Sequence, residues 1–183
     1  MCTTTQAILV PAGGIDTDQG HKTYDEVCAD LGAAISKFLS KPEVACAVLG
    51  AIQSSDTLAR IEQANSGAWG TVVLASQTLA NAEFPAATVR TPVLLACDAS
   101  DEKAYVEERF GPISFIVKVA SAEAAIALSE RLTSEHGALT VGIYSTRPEV
   151  IEAMTAATWR SKVALSINLT SGVFVNQSAA FSD

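Results

Sequence analysis

Apolar and polar positions change rhythm along the chain, and the changes predict its elements. Residues 4–10 carry a short apolar run that stops at Pro11 and read as a strand. Pro11 to Gly14 reads as a turn, and Asp16, Thr17 and Asp18 are suited to start a helix. Tyr24, Val27, Cys28, Leu31, Ala34, Ile35, Phe38 and Leu39 then recur at three and four residues, the stripe of an amphipathic helix, with Pro42 marking its end. Residues 44–52 are apolar and short, a strand or a packed loop. Ser54, Ser55 and Asp56 open a second helix that shows Leu58, Ile61 and Ala64 on one face and stops near Ser66 and Gly67. Residues 71–75 read as a strand and residues 79–88 as irregular chain. Residues 90–97 read as a strand, with Pro92 at an edge or a beginning.

An acidic segment, 98–108, follows, with a helical turn expected around Tyr105 and Val106. From there the rhythm is regular. Strands are predicted at 113–119, 139–144, 163–167 and 173–175. Between them, helices begin near Ser121 and near Pro148, carrying Ala125, Ile126, Leu128 and Leu132, and Val150, Ile151, Met154 and Ala157. Strand, helix, strand in alternation requires crossover connections. The fold class predicted is α/β, a doubly wound, mostly parallel sheet with helices on both faces. The nearly unbroken apolar strands agree, because both their faces would be buried. No repeat, linker or low-complexity tract divides residues 1–183, so one domain is expected.

Composition narrows the class of function. Apolar residues make up 49% of the chain and aromatics 6%, as in a globular α/β domain with small side chains at its helix–sheet contacts. The net charge of -8, with no basic cluster, disfavours nucleic acid and anionic membrane surfaces as partners. No apolar run is long enough to span a bilayer, and no signal peptide pattern opens the chain. The four cysteines, Cys2, Cys28, Cys46 and Cys97, lack metal-ligand spacing and read as reduced thiols in a cytoplasm, so no metal site is expected. His136 before Gly137 has the look of a helix C-terminus, and His21 has no partner pattern.

Two stretches carry candidate chemistry. One is Glu107-Glu108-Arg109-Phe110-Gly111-Pro112-Ile113, where two carboxylates, an aromatic and a Gly-Pro corner lead into an apolar strand. By itself this is a charged loop before a core strand. The other is Met1-Cys2-Thr3-Thr4-Thr5-Gln6-Ala7-Ile8-Leu9-Val10, a cysteine shortly before a strand. Their order and spacing resemble the catalytic domain of aldehyde dehydrogenases. Gly50-Ala51-Ile52 with the helix after Asp56, His136-Gly137-Ala138-Leu139 and Val175-Asn176 resemble further parts of that domain. The stretches 6–11, 135–140 and 164–178 are most similar to the branch of the family that acts in phenylacetic acid degradation.

The resemblance implies that Cys2 is the nucleophile and that Glu108 holds the nicotinamide ribose of NAD or NADP, with Phe110 packed beside it. It implies that Met1, Thr3 and Phe181 line the path of a small-molecule aldehyde, and that the oxyanion is held by the backbone N–H of Cys2 and an asparagine outside this chain. Glu107 has no matched role. A thiol suits covalent aldehyde oxidation because its thiolate is a strong nucleophile and later a good leaving group. No Gly-x-Gly-x-x-Gly loop is present, and the family's general-base glutamate and its dinucleotide-binding domain lie upstream of the cysteine. The chain is therefore expected to be a catalytic-domain fragment that also lacks a C-terminal tail and is inactive alone, cut from a cytoplasmic homo-oligomer, dimer or tetramer. The substrate implied is an aldehyde or semialdehyde of phenylacetate breakdown, carried on coenzyme A in one version. A non-catalytic interaction module and an enzyme that passes its acyl group to coenzyme A are the alternatives. Cys2 and Glu108 are expected at one rim of the sheet, at strand or loop ends facing one cleft, because ligands of open α/β sheets bind at strand C-terminal edges.

Overall fold

The computed structural model describes residues 5–169. They form two compact units, divided between Ser121 and Ala122.

The first unit begins with β1 (Ala7–Pro11), then a hairpin of β2 (Ile15–Thr17) and β3 (Gly20–Lys22), and then helix α1 (Tyr24–Phe38). The helix start predicted at Asp16–Asp18 is instead this antiparallel hairpin. The helix begins at Thr23, whose hydroxyl accepts from the Glu26 N–H while the Glu26 carboxylate accepts from the Thr23 N–H at 2.8 Å. This reciprocal pair satisfies two N–H groups that a helix start otherwise leaves free.

α1 ends at Phe38, ahead of Pro42 as expected, but Pro42 also opens a new helix. It is the first residue of α2 (Pro42–Val48), where its missing N–H costs nothing. The apolar stretch read as strand or loop is therefore mostly helix. After α3 (Ser55–Asn65), capped by Ser54, come β4 (Thr71–Leu74), the short antiparallel pair β5 (Thr78–Leu79) and β6 (Val89–Arg90), and β7 (Val93–Asp98). The predicted strand at 90–97 is thus broken at Thr91 and Pro92. One turn of helix, α4 (Glu102–Tyr105), leads to β8 (Ile113–Val119).

Four of these strands make one sheet, in the order β1-β8-β7-β4. β1 and β7 run parallel to β8, and β4 is antiparallel at the edge. No helix lies between β4 and β7, so the chain turns back on itself there, whereas parallel neighbours need a longer crossover. The register sets Ile8, Ile116 and Ala96 side by side. That face packs with Val10 and Leu94 against Tyr24, Val27, Cys28, Leu31 and Ile35 of α1. On the alternate positions, Leu95, Phe115 and Val117 are fully buried, and α3 packs against β7. Burying each such side chain stabilises the fold by about 1.5–3 kcal/mol, which is why these strands carry so few polar residues.

The second unit contains α5 (Ala122–His136), β9 (Thr140–Ile143), α6 (Pro148–Ser161) and β10 (Ala164–Ile167). β9 and β10 pair in parallel as their own two-stranded sheet, joined by α6. Arg160 on α6 bonds the Glu130 carboxylate on α5. Gly137 closes α5 at φ +77, with its N–H donating to the Thr133 carbonyl, so His136 does stand at a helix C-terminus. The predicted strand at 173–175 lies outside the described residues. The α/β reading with a parallel sheet and helices holds.

Candidate active site

The Glu107–Gly111 loop joins α4 to β8 and is held from several sides. Gln6, just before β1, uses both ends of its side-chain amide. Its Nε2 donates to the Tyr105 carbonyl at 2.9 Å and to the Glu107 carbonyl at 2.8 Å, and its Oε1 accepts from the Arg109 N–H at 3.1 Å. The Gln6 carbonyl accepts in turn from the Phe115 N–H at 2.7 Å. Parallel pairing of β1 with β8 makes this possible, since it brings the two strand beginnings to the same edge.

Arg109 is folded back onto the protein. Its Nη2 donates to the Lys103 carbonyl at 2.8 Å, its Nη1 lies 3.1 Å from the Glu107 carboxylate, and its guanidinium lies 4.6 Å from the Trp69 ring centre. Such stacking favours arginine over lysine. Its Nε is buried without a hydrogen-bond partner. On the far side, Arg60 of α3 donates to the Phe110 carbonyl at 3.0 Å and to the Thr57 hydroxyl at 3.0 Å. Gly111 sits at φ +149, a backbone shape other residues rarely adopt, and a Cβ there would lie 3.2 Å from the Thr57 methyl. The Phe-Gly-Pro corner is therefore a glycine requirement, with the carbonyl of Pro112 accepting from the Val93 N–H to start β7 and β8 together.

Glu108 stands apart from this network. Its side chain is exposed and makes no hydrogen bond or ion pair among the described residues. Phe110 is 44% exposed, so part of its ring is open to a ligand. Glu107 is highly exposed and paired with Arg109, as a solvated neighbour should be. Glu108 lies at the N-terminal end of β8, with Thr5 and Gln6 at the N-terminal end of β1. Glu108 thus stands in a loop ahead of its strand and not at a strand C-terminal end. Cys2, Met1, Thr3 and Phe181 lie outside the described residues.

Two of the other thiols are poor nucleophiles. Burial pushes the Cys97 thiol up to about 11, helped by Asp101 and Asp98, and burial likewise raises Cys28. Both stay protonated near neutral pH. His21 is a partner of Asp16 across the hairpin at 2.9 Å, and that bond raises its pKa. Among the described residues, no group of three or more His, Cys, Asp or Glu is gathered as a metal site, and no helix is long and apolar enough to cross a membrane.

Reading the sequence alone missed Gln6, Arg109, Trp69 and Arg60. The available signal was weak: Gln6 is a polar residue at the head of an otherwise apolar run, and Arg109 is a cation directly after an acidic segment.

An α/β domain whose sheet edge presents a pinned loop with an unengaged carboxylate is the class of structure that fold and site define. The chain belongs to the aldehyde dehydrogenase family, whose family model matches residues 1–178. Its structure is similar to the crystal structure of the NAD-dependent aldehyde dehydrogenase from Burkholderia multivorans, with 47% sequence identity and a TM-score of 0.93. The similarity covers 100% of this chain but 32% of that one, so the chain spans about a third of that protein. No curated protein matches the chain in sequence.

Proposed function

We propose that this chain is the part of an NAD(P)-dependent aldehyde dehydrogenase that supplies the nucleophile, Cys2, and the ribose-holding carboxylate, Glu108. The observation that carries the reading is the state of Glu108: exposed, unpaired among the described residues, and fixed by its neighbours on the same sheet edge as the segment that leads back to Cys2. A carboxylate has two acceptor oxygens, one for each ribose hydroxyl. These residues fit a dinucleotide, because the other charged groups of the loop are already engaged with one another. The half-exposed Phe110 ring offers an apolar surface beside it.

The Cys2 thiolate adds to the aldehyde carbonyl; the new C–S bond forms as the carbonyl π electrons move to oxygen. The bound dinucleotide supplies the hydride acceptor. After oxidation Cys2 holds the acyl group as a thioester, and water displaces the thiolate to give the acid. Met1, Thr3 and Phe181 line the aldehyde path in this reading. The 47% identity to an NAD-dependent aldehyde dehydrogenase supports NAD as the acceptor. The stretches 135–140 and 164–178 support a place in the PaaN-type branch, with an aldehyde or coenzyme A-linked semialdehyde of phenylacetate breakdown as substrate. A cytoplasmic homo-oligomer is the assembly that goes with it.

The test is Cys2→Ala in the full-length protein. Aldehyde oxidation should be abolished while dinucleotide affinity stays within about twofold of wild type, since a thiol outside the ribose contact contributes little to it. Oxidation at a near wild-type rate would rule out covalent catalysis through this thiol.

A further inference from the structure

We propose that Gln6 is a positioning residue for the dinucleotide contact, gripping the peptide groups on both sides of Glu108. The inference rests on the reading of Glu108 as the ribose carboxylate. The carbonyl of Glu107 and the N–H of Arg109 flank that residue directly, and both bond the same Gln6 amide, at 2.8 and 3.1 Å. A third bond ties the Tyr105 carbonyl at the end of α4.

The chemistry selects the residue. Two carbonyls and one N–H face a single side-chain end, so that end must both donate and accept. Only a side-chain amide presents two N–H donors and a carbonyl acceptor together. The partners also settle the amide's orientation, since the reversed one would set its oxygen against two carbonyl oxygens. Gln6 is itself immobilised, its carbonyl bonded to Phe115 in the central strand β8. The sheet thus fixes the glutamine, and the glutamine fixes the loop. Arg109 adds a brace through Lys103, Glu107 and Trp69, and Arg60 holds the Phe110 carbonyl. Backbone and neighbours are held while the Glu108 carboxylate is left for a ligand, which is the pre-organisation a ribose contact needs. Gln6 is also four positions after Cys2 in the chain. One side chain therefore couples the segment of the nucleophile to the loop of the cofactor carboxylate.

The competing account is a staple that contributes stability alone. In the full-length protein, Gln6→Met keeps the length and removes all three bonds. It should weaken dinucleotide binding by about tenfold and leave the aldehyde KM within about twofold. Added to Glu108→Gln, it should cost less than about a further twofold, because the carboxylate it positions is gone. A lowered Tm with unchanged dinucleotide affinity would overturn the proposal, and so would equal costs in both backgrounds. If Glu108→Gln itself leaves dinucleotide affinity unchanged, the reading of Glu108 has failed, which is a separate result. Should Gln6→Met not fold, Gln6→Glu provides the second arm. It keeps an acceptor for the Arg109 N–H and sets an anionic oxygen against two carbonyls. Its affinity defect relative to wild type should shrink as the pH falls and the introduced carboxyl gains a proton it can donate. A defect independent of pH would overturn the hydrogen-bond assignment.

Discussion

Replacing Glu108 by glutamine keeps its size and exchanges one acceptor oxygen for an amide donor. Because the carboxylate has no partner among the described residues and is exposed, folding stability should change by less than about 0.5 kcal/mol. The effect belongs in the complex. A hydrogen bond to a charged group contributes about 1.5–3 kcal/mol, so losing one ribose acceptor should weaken dinucleotide binding, or the hydride step, about ten- to a hundredfold. The control is Glu107→Gln, which removes the same charge one residue away. Glu107 is highly exposed and bonded to Arg109 at 3.1 Å. The Glu107 carboxylate is solvated on its side of the pair, which limits the contribution to about 1 kcal/mol, and Arg109 keeps its bond to the Lys103 carbonyl and its place against Trp69. Dinucleotide affinity by fluorescence titration and single-turnover hydride transfer, measured in both full-length variants, separate the two carboxylates. Equal small effects would refute the assignment and leave Glu108 as a surface charge.

Three further outcomes follow from the geometry. Gly111→Ala forces a side chain into φ +149 and against the Thr57 methyl; it should destabilise the protein by about 1–3 kcal/mol, read as a lower urea midpoint. Cys28 and Cys97 should resist alkylation at pH 7–8 in the folded protein and react at once in urea, because burial holds both as thiols; mass spectrometry of labelled peptides checks this. The raised Cys97 pKa also makes stability depend on pH. Cys97 rises from 9.0 to about 11 on folding, so its contribution is complete below pH 9 and is lost as the pH climbs towards 11. The urea midpoint should fall over that range, and fall less in Cys97→Ala.

Much of the scaffold was legible in sequence because it rests on local pattern. The stripe that begins at Tyr24 is a helix to Phe38, residues 113–119 are a strand, and the alternation after Phe110 predicted parallel pairing, as β9 and β10 show. Periodicity reports which side of an element is buried, and burial of apolar surface is what chiefly stabilises that element. Local readings failed where several residue types serve two purposes. Asp16–Asp18 suits a helix start and equally a hairpin turn, and Thr23 with Glu26 won because two reciprocal bonds satisfy more backbone than one. Pro42 does follow the end of α1, yet the helix it opens was not read, because proline is also at ease in the first turn of a helix.

The candidate site divides in the same way. Sequence alone singled out Glu108 and Phe110 and explained their neighbours only as a charged corner. Tertiary structure decided which edge of the sheet they occupy, since parallel order β1-β8-β7 brings strand beginnings together across more than a hundred residues of chain. It also decided the parts played by Gln6, Arg109 and Trp69. A glutamine that bonds two carbonyls and an N–H, and an arginine laid on an indole ring, leave no periodic mark, because hydrogen-bond partners distant in sequence are chosen by the fold and not by the spacing of residues.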